Sequence, residues 1–395
     1  MADHRDRMGA ADTLDHCPLM PTYGPPSVQF VRGSGTELWD RDGKRYLDFL
    51  SGLAVTSLGH SHPTVAAALA EQANILLHVS NLFGTEPGVE VALTLDRLIG
   101  GGGQVFFCNS GAEANEAAIK LARRFGGRGR HVVVSAFASF HGRTLATLHA
   151  TGQPEKHEVF QPLPEGFRHV PFMEADSLEA ALDDTVAAVL LEPIQGEGGV
   201  NMATTEYFTA VREMCSERGI LLMLDEVQTG LGRTGRWFGF QHYGIEPDVV
   251  TMAKALGNGV PIGACWARRD VAAAFRPGDH ATTFGGQPLA ASAARAVLRV
   301  MESMDAPATA VVRGDELAAR VETLPHVVGV RGAGLLLAAA LDGEIAGAAA
   351  SQALDAGLVV NAVRPNALRF APPLTVSTDE IEEAVAILRP ILEGM

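Results

Sequence analysis

The feature that most constrains the fold is a regular alternation of short apolar runs with amphipathic helical patterns between about residues 59 and 285. Continuous apolar runs of this length are typical of strands buried on both faces. The predicted strands are 104–107, 131–135, 187–193, 220–227, 249–253 and 262–267, and helical patterns cover 112–125 and 205–218. Such alternation predicts an α/β architecture in which helices cover both faces of a mainly parallel sheet.

The two ends of the chain have a different pattern. Residues 23–48 alternate apolar and polar residues with glycine turns, which predicts a short meander of strands. After an alanine-rich helix ending near residue 302, a mixed stretch leads to a final helix at 378–392. Because 395 residues exceed one ordinary core, we expect a large domain of residues 59–288. Residues 1–58 and 289–395 would form a smaller α+β domain.

Charge and composition exclude several classes of partner. The net charge of −15 argues against nucleic acid or an anionic membrane as the main partner. The chain has no run long and apolar enough to span a bilayer and no apolar targeting segment near residue 1. Its cysteines form no CxxC pair, so we expect free thiols and a cytoplasmic location. They are Cys17, Cys108, Cys215 and Cys265.

Lysine is scarce, with only four among the 31 lysines and arginines. Lys254 follows an apolar run and precedes a glycine turn, where its ammonium would be partly desolvated. Desolvation lowers the pKa of a lysine and makes its neutral, nucleophilic amine accessible. The alternative is an ordinary surface lysine whose stem lies along the end of a strand.

Two further segments lie where α/β sheets bind ligands. Asp225 ends an apolar strand, so it could pair with a protonated ring nitrogen or cap the next turn. The segment 110–112, Ser-Gly-Ala, leads from a strand into a helix. Open amide groups at such a helix start suit a phosphate, although plain capping of the helix would explain them equally well.

Three more side chains suggest contacts with a ring or an anion. Phe140 could stack on a ring while nearby Arg143 binds a carboxylate through two hydrogen bonds. Arg369 stands between apolar residues, and a buried arginine requires an anion. By contrast, His60 and His62 lack partners at metal-ligand spacing, so we interpret them as turn or core residues and predict no metal site.

Taken in order, these segments resemble the class III aminotransferases, a pyridoxal phosphate-dependent family of fold type I. The closest resemblance is to its acetylornithine aminotransferases, and it covers nearly the whole chain. The motifs that carry it are Asn-Ser-Gly-Ala-Glu-Ala-Asn-Glu at 109–116, Phe-His-Gly-Arg-Thr at 140–144, Leu-Asp-Glu-Val-Gln-Thr-Gly-Leu-Gly-Arg-Thr-Gly at 224–235, Ala-Lys-Ala-Leu-Gly at 253–257 and Thr-Thr-Phe-Gly-Gly at 282–286. The resemblance implies a seven-stranded, mainly parallel sheet in the large domain.

The resemblance also implies a cofactor site. Pyridoxal 5'-phosphate would form a Schiff base with Lys254, and Asp225 would pair with its ring nitrogen. The other implied cofactor-binding residues are Gln228 at the ring hydroxyl, Val227 and Phe140 on the ring faces, and Ser110, Gly111 and Ala112 at the phosphate. Because the family builds its sites at a homodimer interface, Thr283 would reach the phosphate in a second copy.

For the substrates, the resemblance implies that Tyr23, Arg143 and Thr282 contact the amino donor or its carboxylate. Glu197 and Arg369 match a pair that stays closed on an amine substrate and opens for a dicarboxylate. The implied reaction moves the terminal amino group of N2-acetylornithine to 2-oxoglutarate, as in arginine biosynthesis. It gives N-acetylglutamate 5-semialdehyde and glutamate, and the freed Lys254 moves a proton between substrate and cofactor carbons.

Other donors stay open within the same family, since Gln287, Ala255 and Ala333 depart from its commonest residues. They are ornithine, 4-aminobutyrate, other ω-amines and succinyldiaminopimelate. A glutamate semialdehyde aminomutase would use the same lysine but needs no 2-oxoglutarate. A cofactor-free binding protein is a third alternative, and it would take up no pyridoxal phosphate.

Overall fold

The computed structural model describes residues 19–24 and 26–395, so Cys17 lies outside the described residues. The strands, in chain order, are β1 (Phe30–Ser34), β2 (Glu37–Asp40), β3 (Arg45–Asp48), β4 (Gly103–Cys108), β5 (Val132–Ala136), β6 (Phe167–Val170), β7 (Val186–Leu191), β8 (Ile194–Gln195), β9 (Asn201–Met202), β10 (Leu221–Asp225), β11 (Val249–Met252), β12 (Gly263–Arg268), β13 (Val327–Ala333), β14 (Leu336–Leu341), β15 (Leu358–Val359), β16 (Asn361–Arg364) and β17 (Ala367–Phe370).

The helices of six or more residues are α1 (Pro63–Ile75), α2 (Glu86–Ile99), α3 (Gly111–Gly126), α4 (Leu145–Ala150), α5 (Ala175–Ala181), α6 (Thr205–Arg218), α7 (Pro288–Ser303), α8 (Ala306–Val321), α9 (Ala346–Asp355) and α10 (Thr378–Glu393). None of the helices in the described part of the chain is long and apolar enough to cross a membrane.

A seven-stranded sheet in the order β4-β12-β11-β10-β7-β5-β6 forms the centre of the large domain. Its strands are parallel except β12, which runs antiparallel to both β11 and β4. Strands β5, β7, β10 and β11 are buried along their whole length. Helices on both faces explain why these strands are continuous apolar runs, and the predicted mainly parallel α/β sheet is confirmed.

The register between β10 and β7 positions two acids. Leu224 of β10 lies opposite Leu191 of β7, so Asp225 and Glu192 follow the sheet side by side at its carboxyl edge. Ligands of open α/β sheets bind at this edge, because the helices and loops that follow the strands begin there. The strand register therefore determines where these two acids of the site lie.

The helix α3 starts where the sequence motif at 109–116 predicts. Ser110 caps it by accepting a hydrogen bond at 3.1 Å from the amide of Glu113. Its alanine-rich face is buried against the sheet, including Ala114, Ala117 and Ala118. The cap and the small residues bring the helix start close to the carboxyl edge of the sheet.

Apart from the two-stranded pair β8-β9, the remaining strands come from the two ends of the chain. The predicted meander is β1-β2-β3, and β15 pairs in parallel with β3 at its edge. A further four-stranded sheet has the order β13-β14-β17-β16. We keep the domain limits at residues 58 and 288 as a proposal, supported by this pairing of distant segments.

One buried arginine joins the loop after β10 to the outer segments. Arg233 donates from Nη1 to the carbonyls of Leu335, at 3.1 Å, and Pro372, and from Nη2 to Ser57 Oγ at 2.8 Å. Burial lowers the pKa of Arg233 to about 9. These contacts tie the loop after β10 to the outer segments, and no carboxylate in the described part of the chain pairs with Arg233.

Candidate active site

A cavity of about 410 Å³ opens at the carboxyl edge of the large sheet. It lies above the ends of β7, β10 and β11 and beside the start of α3. The sequence-predicted residues that line it are Ser110, Gly111, Ala112, Phe140, Arg143, Glu197, Asp225, Val227, Gln228 and Lys254. The structure thus brings together ten side chains or backbone segments that are far apart in the sequence.

Asp225 is buried at the base of the cavity and accepts three hydrogen bonds. Its Oδ2 accepts from Asn115 Nδ2 at 2.7 Å and from His141 Nδ1 at 2.8 Å, and its Oδ1 accepts from the Val227 amide at 3.0 Å. Asn115 is itself fixed by Thr251, whose hydroxyl donates to Asn115 Oδ1 at 2.7 Å. The three donors hold the Asp225 side chain in a fixed position, where it can meet a cationic group in the cavity.

Lys254 follows β11 on a short turn with a left-handed backbone, at φ 42°. Burial lowers its pKa below the usual range, and the negative charge of Glu197 offsets part of this lowering. Among the described residues, the Lys254 amine has no hydrogen-bond or ion-pair partner. A desolvated amine without a carboxylate partner is well suited to act as a nucleophile and then as a base.

The start of α3 forms a cradle that has no room for a side chain at residue 111. A Cβ added to Gly111 would lie 2.9 Å from both γ-methyl carbons of Val227. The backbone of Gly111 and Ala112 therefore faces the cavity at a helix N-terminus, where amide groups and the helix dipole favour an anion.

Arg369 and Glu197 form an ion pair at the wall of the cavity. Arg369 Nη1 lies 2.6 Å from Glu197 Oε1, and Arg369 is completely buried. The guanidinium also donates to Asn361 Oδ1 at 3.1 Å and to Gln228 Oε1 at 3.4 Å, while its Nη2 has no hydrogen-bond partner among the described residues. Burial raises the pKa of Glu197, but Arg369 outweighs this effect and holds it below its usual value.

Two cationic side chains lie near the ring of Phe140 at the mouth of the cavity. The Arg143 guanidinium carbon lies 5.5 Å from the centre of the Phe140 ring, and Lys156 Nζ lies 5.9 Å from it. Arg143 is exposed and has no carboxylate partner among the described residues. An arginine in this state can bind a carboxylate that enters the cavity.

Arg369 does not line the cavity itself but contacts Glu197 and Gln228, which do, whereas three other predicted residues lie outside it. Tyr23 is 90% exposed, and Thr283 is exposed as well. Thr282 lies behind the wall, where its hydroxyl accepts from Asn109 Nδ2 at 3.3 Å and from the Gly285 amide at 3.1 Å. The described chain alone thus does not bring these three to the cavity, and their roles stay predictions.

Sequence reasoning missed three buried polar residues of the site. Asn115 lies on the small-residue face of α3, and a single amide among alanines at that spacing was the available signal. His141 was part of a recognised motif but had no assigned partner. Glu192 directly follows an apolar strand, and the strand-end signal that pointed to Asp225 was available for it too but was not used.

The residues present fit pyridoxal phosphate. The glycine cradle suits its phosphate, the anionic Asp225 suits a protonated ring nitrogen, and Lys254 presents an amine to an aldehyde. The cavity of about 410 Å³ is within the range of cofactor sites.

Comparisons with known proteins agree with this fit. The family described as "Aminotransferase class-III" matches residues 20–392. The chain is 51% identical over 382 residues to a protein named acetylornithine aminotransferase from Gloeobacter violaceus, covering 94% of this chain and 95% of that protein.

Solved structures show the same architecture. An ornithine aminotransferase from Toxoplasma gondii superposes with a TM-score of 0.93 at 31% identity, covering 98% of this chain and 96% of that one. An N-acetylornithine aminotransferase from Stenotrophomonas maltophilia gives a TM-score of 0.82 at 38% identity, covering 94% of this chain and 97% of that one. The chain therefore belongs to the class III aminotransferases, enzymes that act with pyridoxal phosphate on an amino donor and a keto acid.

Proposed function

We propose that the enzyme transfers the terminal amino group of N2-acetylornithine to 2-oxoglutarate, giving N-acetylglutamate 5-semialdehyde and glutamate in arginine biosynthesis. The observation that carries this proposal is the contrast between two arginines. Arg369 is neutralised by Glu197, whereas Arg143 has no carboxylate partner in the described chain. This arrangement favours a donor whose reacting amine has no adjacent carboxylate but whose far end carries one.

The second substrate requires a different arrangement of charges at Arg369 and Glu197. A dicarboxylate such as 2-oxoglutarate needs a second cation, and we propose that the Arg369–Glu197 pair opens so that Arg369 is free to bind it. Glu197 is about one-third exposed at its side chain, so it can move toward solvent while the buried guanidinium stays in place. The ion pair would then act as a switch between the two half-reactions.

The roles of the remaining residues follow from their positions. When bound, pyridoxal phosphate supplies an electron sink for negative charge on the substrate carbon. Asp225 holds the ring nitrogen, and the backbone at Gly111 and Ala112 holds the phosphate, with Ser110 capping the helix. Phe140 and Val227 enclose the ring, Gln228 lies on the Arg369 side, and the neutral amine of Lys254 accepts and returns the proton.

We further propose a homodimer in which Thr283 of each copy completes the phosphate site of the other. The segment around Thr283 supports this, because Phe284, Phe83 and Leu82 are large apolar side chains exposed to solvent. Sedimentation of the wild type should give twice the chain mass, and Phe284→Asp should give a monomer that binds cofactor weakly. A wild-type monomer that binds cofactor tightly would contradict the interface. The cytoplasmic location stays a prediction.

The donor is tested by the absorbance of the purified enzyme. The lysine-linked cofactor should absorb at about 420 nm, and this band should disappear with N2-acetylornithine or glutamate added separately, but hardly with ornithine or 4-aminobutyrate. The matched control is Lys254→Ala, which should lack the band. Loss of the band with ornithine or 4-aminobutyrate alone would keep the family and the lysine but replace the proposed donor.

A further inference from the structure

Glu192 is a buried acidic residue that lines the cavity and has no role in the proposed mechanism. It follows β7 directly and stands beside Asp225 at the carboxyl edge of the sheet. It is 7% exposed and lines the same cavity as Lys254. A carboxyl group in this position is either a second buried charge next to Asp225 or a neutral acid.

The hydrogen bonds distinguish these two states. Glu192 Oε2 accepts one long hydrogen bond, at 3.3 Å, from the Phe140 amide, and no cation forms an ion pair with Glu192 in the described chain. Its neighbour Asp225 accepts three hydrogen bonds. Because ionised carboxylates in protein interiors need several donors or a cation, Glu192 has too few partners to carry a charge.

Burial and the neighbouring carboxylates also favour the neutral form of Glu192. Burial raises the pKa of Glu192 well above its ordinary value, and the negative charge of Asp225 raises it further. The Phe140 amide lowers it, Glu197 raises it, and Lys254 lowers it to a smaller extent. Two carboxyl groups at adjacent strand ends disfavour a second negative charge, and Glu192, which has one hydrogen-bond donor where Asp225 has three, is the acid that stays neutral.

We propose that Glu192 is a neutral carboxylic acid that donates a hydrogen bond into the cavity and is a further cofactor-binding residue. Its Oε2 is used as an acceptor by the Phe140 amide, so the O–H on Oε1 needs an acceptor elsewhere. Oε1 has no hydrogen-bond partner among the described residues and Glu192 lines the cavity, so the acceptor we propose is an atom of the bound pyridoxal phosphate. Because Glu192 is neutral in this proposal, it adds no negative charge to that of Asp225 next to the ring nitrogen.

The matched control is Glu226, which is also buried and adjacent to Asp225 in sequence. Its carboxylate accepts from the Thr229 hydroxyl, from the Gly239 amide at 2.9 Å and from the Phe240 amide at 2.8 Å, and its pKa is about 7. Because Glu226 has three hydrogen-bond donors and Glu192 has one, Glu226 should ionise at a lower pH than Glu192. The same Glu→Gln change at these two positions should have opposite effects.

The first experiment compares infrared spectra of the apoenzyme at about pH 8.5. Glu192→Gln should remove one carbonyl band of a protonated carboxylic acid, and Glu226→Gln should leave that band in place. Glu192→Gln should also raise the thermal midpoint relative to the wild type, by an amount that grows as the pH rises above 4.5, the ordinary pKa of glutamate. An unchanged band in Glu192→Gln would overturn the proposal.

The second experiment measures cofactor binding to the apoenzyme by titration. Glu192→Gln keeps an N–H donor, so its Kd for pyridoxal phosphate should stay within about threefold of the wild type, whereas Glu192→Leu should bind about tenfold more weakly. Equal affinity of the leucine variant would overturn the donor role. If that variant does not fold, the glutamine variant decides alone: a tenfold loss there would mean that the charge is needed. No amino donor enters either experiment, so an error in the proposed donor would leave both results unchanged.

Discussion

Replacement of Gly111 by alanine tests whether the start of α3 must approach Val227 this closely. The new Cβ would lie 2.9 Å from both γ-methyl carbons of Val227, whereas carbon atoms pack at about 3.5–4.0 Å. Rotation of a β-branched side chain cannot remove both contacts, so the helix start or Val227 must shift by about 0.6 Å or more. Overpacking of this kind costs about 1–3 kcal/mol.

We expect this cost to fall on cofactor binding, because both sides of the contact line the cavity. The Kd of the apoenzyme for pyridoxal phosphate should rise about 5- to 150-fold, measured by titration of the absorbance. The control is Gly347→Ala in α9, where an added Cβ meets no atom within 4 Å and the Kd should not change.

A double-variant cycle completes the test. Gly111→Ala should weaken binding much less in a Val227→Ala background, with a coupling free energy of about 1–3 kcal/mol. If Gly111→Ala alone binds the cofactor within twofold of the wild type, the close approach at the phosphate cradle is not required and this reasoning fails.

Three further substitutions test the rest of the site. Lys254→Ala should reduce steady-state turnover below detection, and undiminished turnover would refute its assignment. Glu197→Gln leaves Arg369 without its anion, so single-turnover rates should fall at least about tenfold for N2-acetylornithine relative to glutamate; equal changes for both donors would argue against a switch. Arg233→Met removes the donors of two buried carbonyls and of Ser57, so urea unfolding should show a loss of about 2–4 kcal/mol, and a loss below 1 kcal/mol would contradict that role.

The sequence predicts the large sheet and the centre of the site because both depend on local patterns. Continuous apolar strands in alternation with helices imply a covered parallel sheet, and polar residues at strand ends then meet at one edge. This reasoning anticipated Asp225 and Lys254, which the structure places around one cavity. The glycine at 111 was equally visible, since a helix start with small residues can approach a ligand.

The remaining features depend on contacts between distant segments. Nothing in the local sequence around Asn115 shows that it reaches Asp225, because that contact requires α3 to pack over the end of β10. Tyr23 and Thr283 are exposed in the single chain, so their proposed roles depend on contacts that the chain alone does not make. Sequence patterns identify the residue types, but the number of hydrogen-bond donors around each one comes from tertiary packing.

The number of hydrogen-bond donors around each carboxyl group determines how the acids at the edge of the sheet can act. Asp225, Glu226 and Glu192 are all buried, and burial alone would favour the neutral form of each. Three donors fix Asp225 for its proposed contact with the ring nitrogen, and three donors hold Glu226 in the loop after β10. Glu192 has a single donor and therefore suits the task of giving a proton to a hydrogen bond. Neighbouring acids thus take different roles because the packing around them differs.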